Sequence, residues 1–376
     1  MLKVGIVGCG KIADDHCSQI QRIKGCEIVG VCDRELLMAR QLSERFPVKA
    51  YFSDLTQMFS HAKPDVIHVC TPPESHFAIA ETALEAGCHV YVEKPFALCL
   101  DDARELIALA TRKGLKITAG HDDQFRHAAR RMRALVHEGY LGGGPVHMES
   151  YYCYELGGSG YARALLADKQ HWVRKLPGKL LHNIISHGIA RIAEFLTGDS
   201  PEVIAYGFTS AALKSKGERE IIDELRVIIS EEERTTAYFT FSSQMRPALH
   251  QFRMYGPQNG LILDQDQETL IRLRGKMHVS YAEKFIPPIN FARQYLGNLR
   301  TNVRTFLARD FHMKSGMKYL IESFYRSILE NTPEPIPHRE ILVTAKIMDE
   351  IFRQLDVKQS LDRVRFQDSM NSALTK

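Results

Sequence analysis

Over residues 1 to about 120, short β-branched runs alternate with stretches of helical apolar spacing, and this alternation restricts the fold more than any other feature of the chain. LKVGIV, CEIVGVC, DVIHVC, HVYVE and LKITAG read as strands. Between them, ESHFAIAETALEAG and LDDARELIALATRKG read as helices, each ending in a glycine suited to the left-handed turn that stops a helix. Strands joined through helices pair in parallel, and the helices cover both faces of the sheet. The pattern predicts a doubly wound parallel α/β domain over residues 1–122.

After residue 145 the pattern changes. PVHMESYYCYE, EVIAYGFTSAA, ELRVIIS, RTTAYFTFSS and LHQFRMYG are strand-like runs at hairpin spacing, with GPQNG as a turn. An open antiparallel sheet is expected, so residues 123–376 read as an α+β domain for substrate binding and oligomerisation. Helical spacing returns at 316–331 and 339–355, and the C-terminal helix is expected to pack back near the domain junction. Residues 284–312 carry an apolar stripe, Phe291, Tyr295, Leu299, Val303 and Leu307, with Arg293, Arg300 and Arg304 lying off it. Such a stripe is expected to pack on its own domain or in an oligomer interface; the alternative is a membrane surface.

The remaining composition excludes several classes. Lys plus Arg number 49 against 45 Asp plus Glu, without a basic run, so nucleic acid is not an expected partner. No run approaches the ~18 apolar residues of a membrane span. Eight cysteines occur without a C-x-x-C pair, several inside apolar strands, and read as buried free thiols rather than disulfides or a metal site. The opening MLKVGIVGCG lacks a secretory apolar region, so a cytoplasmic protein is expected.

The turn after the first strand carries chemistry. Gly8, Cys9, Gly10, Lys11, Ile12 and Ala13 follow a strand and open a helix, the arrangement that seats a pyrophosphate over a helix N-terminus. Gly8 permits the tight turn, Gly10 permits close backbone approach, and Ala13 permits close packing. Asp33 closes the second strand, where a carboxylate binds the adenosine ribose and repels a 2′-phosphate, favouring NAD. Arg34 beside it leaves NADP open. The competing reading of Asp33 is a cap for the next helix.

With CTPPESH after the third main strand and Glu93-Lys94-Pro95 after the next, the chain resembles the Gfo/Idh/MocA family of NAD(P)-dependent oxidoreductases. AGHDDQF and HWVRKLPGKLLHNIISHGIARI look like further motifs of that family, and the resemblance weakens between about 276 and 312. It implies a Rossmann domain, an open sheet facing the nicotinamide, and hydride transfer at a secondary alcohol of a sugar or cyclitol. It also implies that Thr71 and Pro72 line the nicotinamide ribose with His76 nearby. Glu93 would orient that ribose or Lys94, Lys94 would contact the reacting hydroxyl, and Pro95 would follow a cis bond.

Alcohol oxidation needs a base for the hydroxyl proton. Lys94, at the carboxyl end of a parallel strand, is the first candidate, because partial desolvation lowers an ammonium pKa. His187 is the second, four residues after Asn183 on what reads as one helix. Asn183 stands where many family members carry Asp, and an amide cannot stabilise an imidazolium. His121 and Asp122 end a strand at the same rim, while His182, Trp172 and Arg174 are expected to line the pocket. Arg163, Lys169 and Arg174 would favour anionic substrates; a solvated charged loop is the competing reading. His182 and His187, five apart, do not make a metal pair. Two alternatives stand beside the dehydrogenase: tightly held NAD used for transient oxidation without net redox change, and a non-catalytic NAD-binding sensor. A homo-oligomer, dimer or tetramer, is expected.

Overall fold

Six parallel strands form the first sheet, in the order β3-β2-β1-β4-β5-β6. They are β1 (Leu2–Val7), β2 (Cys26–Cys32), β3 (Tyr51–Phe52), β4 (Val66–Val69), β5 (His89–Val92) and β6 (Ile117–Ala119). The computed structural model describes residues 1–156, 160–232, 234–275, 279 and 281–374, with only the backbone described for 161–163 and 358–374. β4 is buried throughout, as a central parallel strand covered on both faces must be. β3 is two residues long and leaves no periodic signal. The strand order reverses between β1 and β4, opening a crevice at their carboxyl ends, where doubly wound sheets bind ligands.

The second sheet holds β7 (His147–Glu155), β8 (Glu202–Phe208), β9 (Glu224–Glu231), β10 (Thr235–Ser242), β11 (Gln244–Tyr255), β12 (Asn259–Asp264) and β13 (Thr269–Arg274). Their order is β13-β12-β11-β7-β10-β9-β8. It is not wholly antiparallel as expected: β7 and β10 run parallel, from His147↔Thr236 to Tyr151↔Thr240. The helical excursion between β7 and β8 frees β7 from hairpin geometry, so it inserts between β11 and β10.

Two cores result. Val4, Ile6, Ile67 and Val90 centre the first. Met317, Leu320, Ile321 and Phe324, on the Ser315–Leu329 helix, complete it from the far end of the sequence. Phe239, Phe241 and Phe252 centre the second with Ile189 and Ile192. The His338–Leu374 helix spans the junction: Ile341 joins the first core, and Ile347 and Ile351 join the second. Asp349 fixes it there by accepting the Leu100 amide at 2.8 Å.

Among the described residues, most of the 284–312 stripe does not pack on its own domain. The helix runs Ala282–Leu307 and turns its polar face to the sheet. Gln294 and Asn298 bond both backbone groups of Arg272 and Leu270 on edge strand β13. Side-chain amides satisfy an open strand edge better than apolar groups can, so the stripe points outward. Phe291 is half-buried, but Tyr295, Leu299, Val303 and Leu307 are exposed.

Candidate functional site

The glycine turn is shaped for a ligand. Gly8 has φ +90°, and a Cβ there would lie 2.7 Å from the Cys70 carbonyl carbon and the Thr71 methyl. A Cβ on Gly10 would meet nothing within 4 Å, so open space lies over the N-terminus of the Lys11–Ile20 helix, which no side chain caps. That open cradle fits the pyrophosphate of a dinucleotide. Cys9 is buried, Lys11 is exposed and Ile12 is half-buried beside it. Asp33 serves two turns at once: Oδ2 accepts the Cys9 amide at 2.8 Å, and Oδ1 accepts the Glu35 amide at 3.0 Å. Its carboxylate therefore sits against the glycine turn, with Arg34 exposed beside it.

Glu93 follows β5 and is 5% exposed. Its Oε1 lies 2.8 Å from His16 Nε2; His16 Nδ1 lies 2.8 Å from His68 Nδ1; His68 Nε2 lies 2.8 Å from the Tyr325 hydroxyl. One proton assignment satisfies every contact: Tyr325 O–H donates to His68, His68 Nδ1–H to His16, and His16 Nε2–H to Glu93. Both imidazoles are neutral in that arrangement, and burial indeed drives His68 well below its ordinary range. Burial alone would raise the Glu93 carboxyl, but the His16 hydrogen bond, with the charges of His16, Lys94 and His187 once acid protonates them, outweighs it and brings it to about 2.

The Lys94–Pro95 bond is cis, as the resemblance implied. Lys94 Nζ donates to the Asn183 carbonyl at 3.0 Å, and burial lowers its pKa below the usual ammonium value. Asn183 and His187 do not share one unbroken helix: the segments Lys179–Ile184 and Ser186–Ala193 meet at Ile185. Lys94 binds at that joint, through the backbone of Asn183.

The carboxylate that Asn183 cannot supply comes from elsewhere. Asp122 Oδ1 lies 3.9 Å from His187 Nε2, and Asp123 Oδ2 lies 3.9 Å from His187 Nδ1. Both aspartates belong to the short 3-10 turn after β6. Burial, the Asp123 charge and the Glu93 charge push Asp122 up. Burial also opposes ionisation of Asp123, but His187, Arg126, Arg191 and the Tyr152 hydroxyl at 2.8 Å prevail and hold it down. Burial depresses His187 to about 4 and His121 to about 3, so both rings are neutral near pH 7. His121 Nε2 and His187 Nδ1 are buried without a hydrogen-bond partner among the described residues.

Other expected contacts are engaged elsewhere. His76 is fully buried, with Nδ1 2.8 Å from the Pro95 carbonyl and Nε2 2.9 Å from the Thr71 carbonyl. It ties the Thr71 turn to the Lys94–Pro95 turn and exposes no surface to a ligand. Thr71 accepts the Ser75 hydroxyl at 2.8 Å, and Pro72 is exposed at the same turn. Arg174 does not face a pocket: Nη2 pairs with Glu218 at 2.6 Å, and Nε donates to the Leu165 carbonyl. Lys169 reaches the same Glu218 at 3.4 Å, so one buried carboxylate offsets the charge expected to attract anions. The Arg163 side chain lies outside the described residues. Trp172 packs on the small cluster of Leu165, Val173, Leu180 and Ile221. His182 stacks on Phe352 at 4.9 Å, behind the Lys94–Pro95 turn, and burial holds it at about 4.

Several participants escaped the sequence reading. His16 shares the buried face of its helix with Ala13, Cys17 and Ile20, and His68 interrupts the apolar run VIHV. A polar residue at a core position was the available signal. Arg191, one helical turn past His187, is 2% exposed and donates to Gln265, Ser150 and the Tyr151 carbonyl. Lys314, ion-paired to Asp15 at 3.1 Å, also feels the Asp122 charge, and only the fold brings it there.

Known proteins share this architecture. Residues 2–121 match the oxidoreductase family with an NAD-binding Rossmann fold. A D-glucoside 3-dehydrogenase of Escherichia coli strain K12 is 36% identical over 142 residues, 38% of this chain and 40% of that protein. The chain thus aligns with about two fifths of this curated relative's length. Among solved structures, a dehydrogenase from Bordetella pertussis in complex with NADH and UDP-GlcNAcA superposes with TM-score 0.74 at 17% identity, covering 94% of both chains. A UDP-N-acetylglucosamine 3-dehydrogenase from Acidithiobacillus ferrooxidans gives 0.70 at 18%, covering 93% of this chain and 96% of its own. The structural likeness establishes the two-sheet fold over nearly the whole chain.

Proposed function

We propose, on the premise that residues 2–121 belong to the Gfo/Idh/MocA oxidoreductase family, that the protein is an NAD-dependent dehydrogenase of a secondary alcohol on a sugar, cyclitol or sugar derivative. The observation that carries this reading is the convergence of Lys94, His187, Asp122 and Asp123 beside the glycine cradle. Gly8, Cys9, Gly10, Lys11 and Ile12 would hold the pyrophosphate, Asp33 and Arg34 the adenosine ribose, and Thr71 and Pro72 the nicotinamide ribose. When bound, NAD supplies the hydride acceptor. The relatives' names, a D-glucoside and a UDP-N-acetylglucosamine 3-dehydrogenase, support the substrate class.

Lys94 takes the hydroxyl proton in this reading. Burial lowers its pKa, which eases proton exchange, and the Asn183 carbonyl fixes one N–H in place. Glu93, ionised and held by His16, keeps the Lys94 turn oriented through its bond to the Lys94 amide at 3.1 Å. His187, neutral near pH 7, hydrogen-bonds the substrate hydroxyl as Lys94 takes its proton, and the two aspartates favour positive charge on the ring. His121 lies beside His187, with ring centroids 5.9 Å apart, and is a third polar contact. A separate exposed row, Ile204, Tyr206, Phe208, Ile228 and Tyr238, supports a homo-oligomer through the outer face of the second sheet.

The test is purified protein incubated with NAD and a panel of sugars, cyclitols and sugar nucleotides, following reduced nicotinamide by absorbance. Reduction with at least one alcohol is expected, abolished in Lys94→Ala while NAD binding persists. A panel without any reduction, or full turnover by Lys94→Ala, overturns the reading.

A further inference from the structure

The Ala282–Leu307 helix is amphipathic in an unusual sense: its polar face holds the protein, and its apolar face is left exposed among the described residues. Gln294, Asn298 and Asn302, four residues apart, reach the β13 edge and the Gln267 carbonyl. Arg131 adds a hydrogen bond to Asn298 at 2.5 Å. The opposite face carries Phe285, Ile289, Leu296, Leu299, Val303 and Phe306, each between 48% and 68% exposed. With Ala292 they follow steps of four and three residues, one continuous stripe along the helix.

Charge identifies what covers this stripe. Residues 282–309 hold five basic side chains, Lys284, Arg293, Arg300, Arg304 and Arg309, against one acidic, Glu283. At about 100° per residue, Arg293, Arg300 and Arg304 form a row along one border of the apolar face. None of the three pairs with a carboxylate among the described residues. A second copy lying antiparallel would bring this arginine row against itself. A parallel copy would meet the other border, of Tyr295, Asn302 and Lys284, which has no carboxylate to offer. An anionic lipid surface complements both the stripe and its basic border. The helix is too polar to cross a bilayer, and no helix among the described residues is long and apolar enough to do so.

We propose that the Ala282–Leu307 helix docks the protein on an anionic phospholipid surface, lying in the interface with its apolar face in the acyl boundary and its arginines at the headgroups. The amide ladder to β13 holds the helix before it meets lipid, so docking does not bear the entropy of ordering it. This inference is independent of the reading of the site.

The experiment is flotation of the full-length protein with vesicles of phosphatidylcholine alone and of phosphatidylcholine mixed with phosphatidylglycerol. Binding to the mixed vesicles is expected, with weaker binding at high salt and on phosphatidylcholine alone. Leu296→Glu with Leu299→Glu should abolish it, with an unchanged circular dichroism melt and unchanged NAD binding. Arg293→Gln, Arg300→Gln and Arg304→Gln together should weaken it on the order of a hundredfold. If wild-type protein stays off the anionic vesicles, or the glutamate variant binds them equally, the proposal is wrong. It is equally wrong if light scattering shows the glutamate substitutions splitting an oligomer while neither protein binds lipid, because a second copy then covers the face.

Discussion

Two groups of buried polar side chains flank the Lys94 turn, and they are built on opposite principles. On one side Glu93, His16, His68 and Tyr325 form a closed chain in which each link measures 2.8 Å. On the other, His187 stands 3.9 Å from each of two aspartates, and His121 Nε2 and His187 Nδ1 have no hydrogen-bond partner among the described residues. A satisfied network fixes one conformation; unpaired buried groups carry a cost that a ligand's hydroxyls can relieve. On the proposed reading, the contrast separates a part that holds the turn from a part that waits for substrate. Variants should therefore divide into those that lose stability and those that lose turnover.

The largest effect falls between the two groups. Lys94→Ala should lower kcat by about 10²–10⁴-fold, the usual contribution of a positioned acid–base group. Its melting temperature should change little, because the amine gives up only the bond to the Asn183 carbonyl. His187→Gln should behave similarly at about 10²-fold, with NAD affinity unaltered by fluorescence titration. Wild-type turnover in either variant would remove that side chain from the mechanism.

Next in size is the holding side. His16→Ala leaves the buried Glu93 carboxylate without its hydrogen-bond donor, and orphaning a buried charged acceptor costs about 3 kcal/mol. Urea unfolding should read that loss directly. A pH titration of wild-type stability should show the same pair. Glu93 sits at about 2 in the folded protein against an ordinary 4.5, so its contribution is complete above the unfolded value. It disappears as pH falls toward 2 and amounts to about 3 kcal/mol. His121 and His187, depressed to about 3 and 4, add to the same slope, since the unfolded chain binds their protons first as pH drops below 6.5. A stability curve flat between pH 6 and 3 would contradict both assignments. Tyr325→Phe should cost about 1–3 kcal/mol by orphaning His68 Nε2, with kcat unchanged. A large fall in kcat would instead make the chain a proton path.

The two sides were unequally legible in the sequence. Lys94, Asp122 and His187 stand at strand ends and helix joints, where spacing and the glycine turn mark the crevice. The holding chain depends on His16, His68 and Tyr325, which lie far apart in sequence and meet only when the sheet closes. Histidines inside otherwise apolar patterns were the sole hint. Arg174 was misplaced for the converse reason: a basic residue near a pocket motif says nothing of Glu218, 44 residues on, which neutralises it. Asn183 leaves the histidine without a local carboxylate, and local spacing cannot reveal that Asp122 and Asp123 arrive from the 3-10 turn after β6. In the second sheet, hairpin spacing gave antiparallel pairs and missed the one parallel pair, which needs no local turn. The outward stripe on the Ala282–Leu307 helix escaped because periodicity locates an apolar face without saying which face the sheet edge prefers.

The smallest effect offers the sharpest test of the waiting side. Asp122 is raised from 3.8 to about 7, first by burial and then by the charges of Asp123 and Glu93. A carboxyl with a raised folded value contributes stability below its unfolded value and loses it as pH rises through the folded one. Above that window the folded protein carries a strained charge. Asp122→Asn removes the charge and keeps the shape, so apo protein should melt about 1 °C higher at pH 8, equivalent to roughly 1 kcal/mol. At pH 3, where Asp122 is protonated in both states, the variant should gain nothing. Turnover at pH 8 should fall in the same variant, because His187 loses one of its two carboxylate neighbours. A variant less stable at pH 8 would mean that Asp122 is already satisfied there, and the division between a holding side and a waiting side would fail at its most exposed member.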